Sequence, residues 1–177
     1  MSRYVVWATA AIAPVIAFFI LEPFFFSQPA RPGGPASLVG EEAPIVSLHD
    51  DQGAPVSLEQ YRGRVIVMNL WASWCPPCRA EMPDLQRLAS RYGRTGIAVV
   101  GVNEGESPQR AAAFARSLGI HFPIWIDPAQ RYGRTYAALG LPTTVILDRR
   151  GIVVRGFDGP LTFDQMEAAI EPLLRSP

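Results

Sequence analysis

From Leu38 onward the chain alternates between short runs that are apolar throughout and longer segments with apolar residues at helical spacing. Residues 65–70 (Val-Ile-Val-Met-Asn-Leu) and 97–102 (Ile-Ala-Val-Val-Gly-Val) are almost continuously apolar, which predicts strands buried on both faces. Between them a helical pattern runs over 76–92 and stops at Gly93. Ser107 as N-cap and Pro108 at the first position open a helix that reaches Leu118 and ends at Gly119. Phe122 to Ile126 reads as a short strand, and Asp127-Pro128 opens another helix, roughly 128–139. After Gly140-Leu141-Pro142 come a strand over 143–148, a turn at Arg149-Arg150-Gly151, a returning strand over 152–157 and a last helix over 162–174. Upstream, residues 45–48 and 54–57 flank Asp50-Asp51-Gln52-Gly53 as a hairpin, and 57–61 forms a short helical turn before Gly63. Strands alternating with helices predict an α/β fold with a mixed sheet, and no internal repeat is visible.

The N-terminal part follows a different pattern. Tyr4 to Leu21 is uncharged, and a helix of that length spans about 27 Å, enough for a bilayer core. A cleaved signal peptide is the competing reading, but Phe24-Phe25-Phe26 stands where small residues would be wanted. Residues 1–22 are therefore read as an uncleaved signal-anchor, one N-terminal transmembrane helix. Arg3 favours the N-terminus inside and the domain outside. Residues 23–38, with Pro23, Pro29, Pro32 and Pro35, are read as a Pro-rich linker, and 39–177 as the globular domain. In extended form such a linker reaches about 45 Å.

Composition narrows the function classes. Hydrophobic residues make up 49% of the 177, so a packed core is expected; the formal net charge is zero, so nucleic-acid binding is not. The two cysteines, Cys75 and Cys78, exclude a framework of structural disulfides.

Both cysteines lie where a buried strand meets a helix, the geometry of a dithiol redox centre. Helix N–H groups without partners and the positive end of the dipole favour thiolate at Cys75. Pro76 and Pro77 lack N–H groups, so the N–H of Cys78 is the first donor available to the Cys75 sulfur, and both prolines suit a first helical turn. Cys75 is read as the more exposed, attacking thiol and Cys78 as the resolving one. The prolines point to a moderately lowered thiol pKa and a reducing centre. Glu81, three residues past Cys78, lies on the same helical face and is placed to exchange a proton with it; a solvated first-turn glutamate is the alternative. Arg79, four residues after Cys75, is within reach of supporting the thiolate, but a surface arginine is the stronger reading. Leu141-Pro142, at a strand edge, is a candidate cis bond. A zinc site using His49 and His121 is arithmetically possible, and a copper-holding dithiol fits thiolate softness, but neither has a supporting cluster of further ligands. No metal site is expected, and no cofactor beyond the redox-active Cys75–Cys78 disulfide.

The longer pattern is more specific. The stretches 67–71 (Val-Met-Asn-Leu-Trp), 75–83 (Cys-Pro-Pro-Cys-Arg-Ala-Glu-Met-Pro), 100–103 (Val-Gly-Val-Asn), 140–144 (Gly-Leu-Pro-Thr-Thr) and 148–151 (Asp-Arg-Arg-Gly) together resemble the TlpA/ResA/CcmG (DsbE-like) branch of the thioredoxin superfamily. That resemblance implies a thioredoxin fold with an N-terminal β-hairpin and a central αβ insertion at about 103–127. It places Pro142 at the cis-proline position and Glu81 at the acid used in proton handling. Asn69 stands where classical thioredoxins carry a buried acid. Trp74, Pro76, Pro77, Leu141 and Pro142 become the expected substrate contacts. The implied protein is a thiol–disulfide oxidoreductase, single-pass in a bacterial inner membrane with its catalytic domain facing the periplasm. Its implied clients are disulfide-containing envelope proteins, among them apocytochrome c or the copper-site thiols of cytochrome oxidase, with electrons from a membrane dithiol donor of the CcdA/DsbD type. A peroxiredoxin-type peroxidase shares the insertion, but it wants a threonine three residues before its reactive cysteine, where this chain has Ala72.

Overall fold

The computed structural model describes residues 34–175. In chain order they form β1 (Leu48–Asp50), β2 (Pro55–Val56), β3 (Val65–Trp71), α1 (Pro76–Tyr92), β4 (Ile97–Glu104), α2 (Pro108–Ser117), β5 (Ile124–Asp127), α3 (Arg131–Thr135), β6 (Thr143–Leu147), β7 (Val153–Asp158) and α4 (Phe163–Arg175). The strands make one mixed sheet in the order β2-β1-β5-β4-β3-β6-β7. The β3–β4 and β4–β5 pairs are parallel, and the hairpin β1–β2 and the returning pair β6–β7 are antiparallel. The fold is a mixed α/β fold of the thioredoxin type. α2 and β5 fill the expected insertion at 103–127, and β1 pairs with β5, so the hairpin and the insertion together widen the sheet on one side.

The apolar runs are continuous because each strand feeds two cores. In β3, Val65, Val67 and Trp71 enter the core with α1 and α4, while Ile66, Met68 and Leu70 enter the opposite one with Trp125, Tyr132 and Tyr136. In β4, Ile97 and Val99 join the first, and Val100 and Val102 the second. Gly101 faces the first core, where a Cβ would stand 2.9 Å from the Trp71 indole nitrogen and 2.9 Å from Phe122. This close approach makes glycine necessary in an otherwise apolar run. All seven residues of β3 are buried, and each large aliphatic among them contributes about 1.5–3 kcal/mol by leaving water. The loop at its C-terminal end is therefore carried on the most firmly held strand.

Three expectations need amendment. The helix expected over roughly 128–139 covers only Arg131–Thr135. Asp127 remains in β5, paired with Glu104, and Gln130 and Ala137 take left-handed backbone on either side of the short helix. Residues 34–38, expected as the end of the linker, instead pack on β7: a 3-10 turn over Pro35–Leu38 rests against Gly156, where a Cβ would lie 2.5 Å from the Pro35 carbonyl carbon. The returning strand begins at Val153, one residue later than expected. No helix among the described residues is long and apolar enough to cross a membrane, and the expected span within 1–22 lies outside them.

Candidate active site

β3 ends at Trp71, four residues carry the chain across the end of the sheet, and Pro76 starts α1. Cys75 is the N-cap of that helix, with Pro76 and Pro77 in its first turn. The first N–H able to reach the Cys75 sulfur is that of Cys78, which donates to it at 3.3 Å, as the missing proline donors require. Cys75 and Cys78 are joined as a disulfide. Cys75 is the more exposed of the two, as expected, but only slightly. In the disulfide form it is 3% exposed and Cys78 1%, because both sulfurs pack into the first core. The exposed neighbours are Trp74, at 60%, and Pro76 and Pro77. These three form the exposed rim around the buried disulfide.

The Leu141–Pro142 bond is cis, as expected. β6 begins one residue later and pairs with β3 through Leu70 and Thr143, which brings the cis-proline loop alongside the strand that leads to Cys75. Leu141 packs against both cores. Its backbone N–H and C=O have no partner among the described residues, so both are available to an extended peptide.

Glu81 is not a solvated first-turn residue. It is 2% exposed; Oε1 accepts the Leu161 N–H at 3.0 Å, and Oε2 accepts an N–H of the Asn69 amide at 3.2 Å. Burial pushes its carboxyl from 4.5 up to about 7, against the lowering effect of those two bonds, with Asp84 adding to the rise. Asn69 also donates to the Thr144 hydroxyl at 2.9 Å, while its own Oδ1 has no partner among the described residues. A side chain on β3 and the backbone before α4 thus converge on one α1 carboxyl near neutrality. Arg79 sits on the exposed side of α1 with its guanidinium 5.4 Å from the centre of the Phe114 ring, a position that does not single it out as a thiolate partner.

A second carboxylate at this end of the sheet was not anticipated from the sequence. Glu106, 7% exposed, lies in the loop after β4 and accepts four donors. The Ser73 N–H reaches Oε2 at 2.7 Å, the Ser73 hydroxyl reaches Oε1 at 2.6 Å, the Asn103 amide donates at 2.8 Å, and Arg110 Nε lies 3.0 Å away. Burial alone would raise this carboxyl, but the Ser73 bonds, Asn103 and Arg110 outweigh it and hold it below its usual value. Ser73 is two residues before Cys75, so Glu106 fixes the loop that presents the dithiol. The available signal was position: an acid following the C-terminal end of a buried strand, on the side of the sheet where α/β folds collect their functional groups. Among the described residues no cluster of three His, Cys, Asp or Glu side chains could hold a metal ion.

This arrangement has counterparts among known proteins. Residues 39–155 match the AhpC/TSA family. The chain belongs to that family. It is 34% identical over 138 residues to the thiol-disulfide oxidoreductase ResA of Geobacillus thermodenitrificans, covering 78% of this chain and 79% of that protein. It is 35% identical over 164 residues to the thiol:disulfide interchange protein HelX of Rhodobacter capsulatus, covering 90% and 91%. Among solved structures, a putative thiol:disulfide interchange protein DsbE from Chlorobium tepidum superposes with a TM-score of 0.72 at 31% identity, covering 77% of this chain and 97% of that one. With the dithiol at a helix start beside a cis-proline, the family member described here is a thiol–disulfide oxidoreductase.

Proposed function

We propose that this protein reduces disulfides in extracytoplasmic client proteins, held to the membrane by residues 1–22. In the reduced state the Cys75 thiolate attacks one sulfur of a client disulfide. That S–S bond breaks, a mixed disulfide forms through Cys75, and the client's other sulfur leaves as thiolate. Cys78 gives its proton to Glu81 and attacks the Cys75 sulfur, which closes the Cys75–Cys78 disulfide and releases the second client thiol. The client gains two electrons and the protein loses two. A membrane dithiol donor of the CcdA/DsbD type returns them. Trp74, Pro76, Pro77 and the backbone at Leu141 and Pro142 make the client contacts. Following the resemblance to the TlpA/ResA/CcmG branch, the clients in this reading are the haem-site disulfide of apocytochrome c or the oxidised copper-site cysteines of cytochrome oxidase.

The observation that carries this reading is the buried carboxyl of Glu81 on the Cys78 face of α1, pushed up to about 7, where it can take and return a proton in the working pH range. Ala72, buried and without a hydroxyl, gives no support to a peroxidase. The deciding experiment pairs a potential with a trap. The Cys75/Cys78 couple is expected well below about −120 mV, the value of a strong periplasmic oxidant; a potential near that figure reverses the direction. A Cys78→Ser variant is expected to hold clients in a mixed disulfide through Cys75, and capture through Cys78 of a Cys75→Ser variant instead exchanges the two roles.

A further inference from the structure

β4 ends between two carboxylates. Glu106 turns to the dithiol loop, whereas Glu104 shares the register of Val100 and Val102, which face the opposite core. Glu104 is 3% exposed, and its Oε1 accepts the Gly133 N–H at 3.2 Å. Its Oε2 lies 3.0 Å from the place a Cβ on residue 133 would take, so any other residue there would press on the carboxylate. In front of it is a cavity of about 200 Å³ lined by Glu104, Gln130, Gly133, Arg134, Ala138, Gly140 and Leu141. Two of those residues belong to the cis-proline loop, and Leu141 is the residue whose backbone groups are unpaired. A client strand paired with Leu141 alternates its side chains across the loop and sets one of them over the cavity.

We propose that this cavity is a client subsite that takes a cationic side chain, lysine or arginine, from a position flanking the client disulfide, with Glu104 as its partner. The inference rests on the exchange reaction proposed above. The charge follows from what lies behind the opening. Asp127 is fully buried beside Glu104; its Oδ2 accepts the Tyr132 N–H at 2.7 Å, but its Oδ1 has no hydrogen bond, and the nearest cation, Arg131 Nε, is 3.8 Å away. An apolar side chain entering the cavity would pack on Leu141 and Ala138 but strip water from a carboxylate without replacing its hydrogen bonds, and an acidic one would meet two like charges. A lysine or arginine lays its hydrocarbon stem along Leu141 and brings its charge to Glu104. Arg134 stands on the exposed rim, where it can turn to water when a client cation arrives.

The test uses the full chain in its reduced form and two disulfide peptides that differ only in lysine or norleucine at the positions flanking the disulfide. At pH 8 the lysine peptide is expected to have about tenfold the kcat/KM of the norleucine peptide. The ratio of the two cancels the titration of the attacking thiol, which both share. Burial first and Asp127 second push the Glu104 carboxyl up to about 7, so the preference should fade as pH falls through that value. Asp127 on β5 and Arg131 and Arg134 on α3 are the other charges against it. Glu104→Gln, which keeps an acceptor for the Gly133 N–H, should abolish the preference. Equal rates for the two peptides in the unsubstituted protein, or a preference that survives Glu104→Gln, overturns the subsite while leaving the exchange reaction standing. Reduction of neither peptide by the unsubstituted protein overturns the exchange reading on which the subsite depends.

Discussion

Glu81 and Glu106 flank the same dithiol, both nearly sealed from water, yet burial leaves one carboxyl near 7 and the other below its usual value. Glu81 is the more deeply buried of the two, and the donors around them differ in number and kind. Glu81 has one backbone N–H and one amide at 3.2 Å, too little to offset its lost hydration. Glu106 has a backbone N–H, a hydroxyl, an amide and a guanidinium. Burial makes a carboxyl expensive to ionise, and the donors around it decide whether it becomes a proton carrier or a fixed anion. The first suits a group that must change state in each turnover. The second suits a post that holds the loop before Cys75 in place.

Breaking the post should have the largest effect. Glu106→Ala leaves the Ser73 N–H and the Asn103 amide without an acceptor in a buried setting and is expected to cost about 3 to 4 kcal/mol in urea unfolding. Because the carboxyl is held below its usual value, its contribution is present at neutral pH and lost on acidification through that depressed value, so the gap between variant and parent should narrow in acid. A gap that stays constant to pH 3 would show that Glu106 acts by packing alone.

The carrier should give a smaller effect of opposite sign. With Glu81 moved from 4.5 to about 7, the folded domain keeps a proton that the unfolded chain has already lost, so stability falls as pH rises through that window. Glu81→Gln has no such titration. Relative to the parent it should gain about 3 kcal/mol between pH 4 and pH 8, while the neutral-pH step in the dithiol's reaction rate disappears. The smallest effect is expected at Ser73→Ala, which removes one of four donors to Glu106. A loss of about 1 kcal/mol, with the Glu106 titration moving back toward its ordinary value, would confirm that the donors act in sum; a loss equal to that of Glu106→Ala would show that Ser73 is the whole of the post.

The strands were readable because their burial on both faces erases polar positions, and the dithiol was readable because strand, cysteines, prolines and helix follow one another within 65–92. Glu81 could be placed on the Cys78 face from spacing, but not sealed: Leu161, 80 residues away in sequence, supplies both cover and donor. Glu106 was missed for the same reason, since Ser73 lies 33 residues before it and nothing local pairs the two. The third helix was read too long because a local Asp-Pro start signal competed with the pairing of Asp127 to β4, and the pairing won. What is local in the chain could be read; what two distant segments make together could not.

The docked stretch 34–38 has a practical consequence. Gly34 sits against Asp158 and Leu139, and Asp158 accepts the Leu139 N–H and the Thr143 hydroxyl, so the chain enters the domain beside the cis-proline loop. The last turn of α4 is anchored elsewhere: the Leu173 carbonyl accepts from Arg149, just beyond the end of β6 remote from Pro142. A domain fixed to a bead through the chain before Gly34 is gripped at its reacting end, and one fixed through the chain after α4 is gripped at the other. The two orientations offer the same dithiol to a client in solution with different clearance, and any assay on an immobilised form will read that difference along with the chemistry.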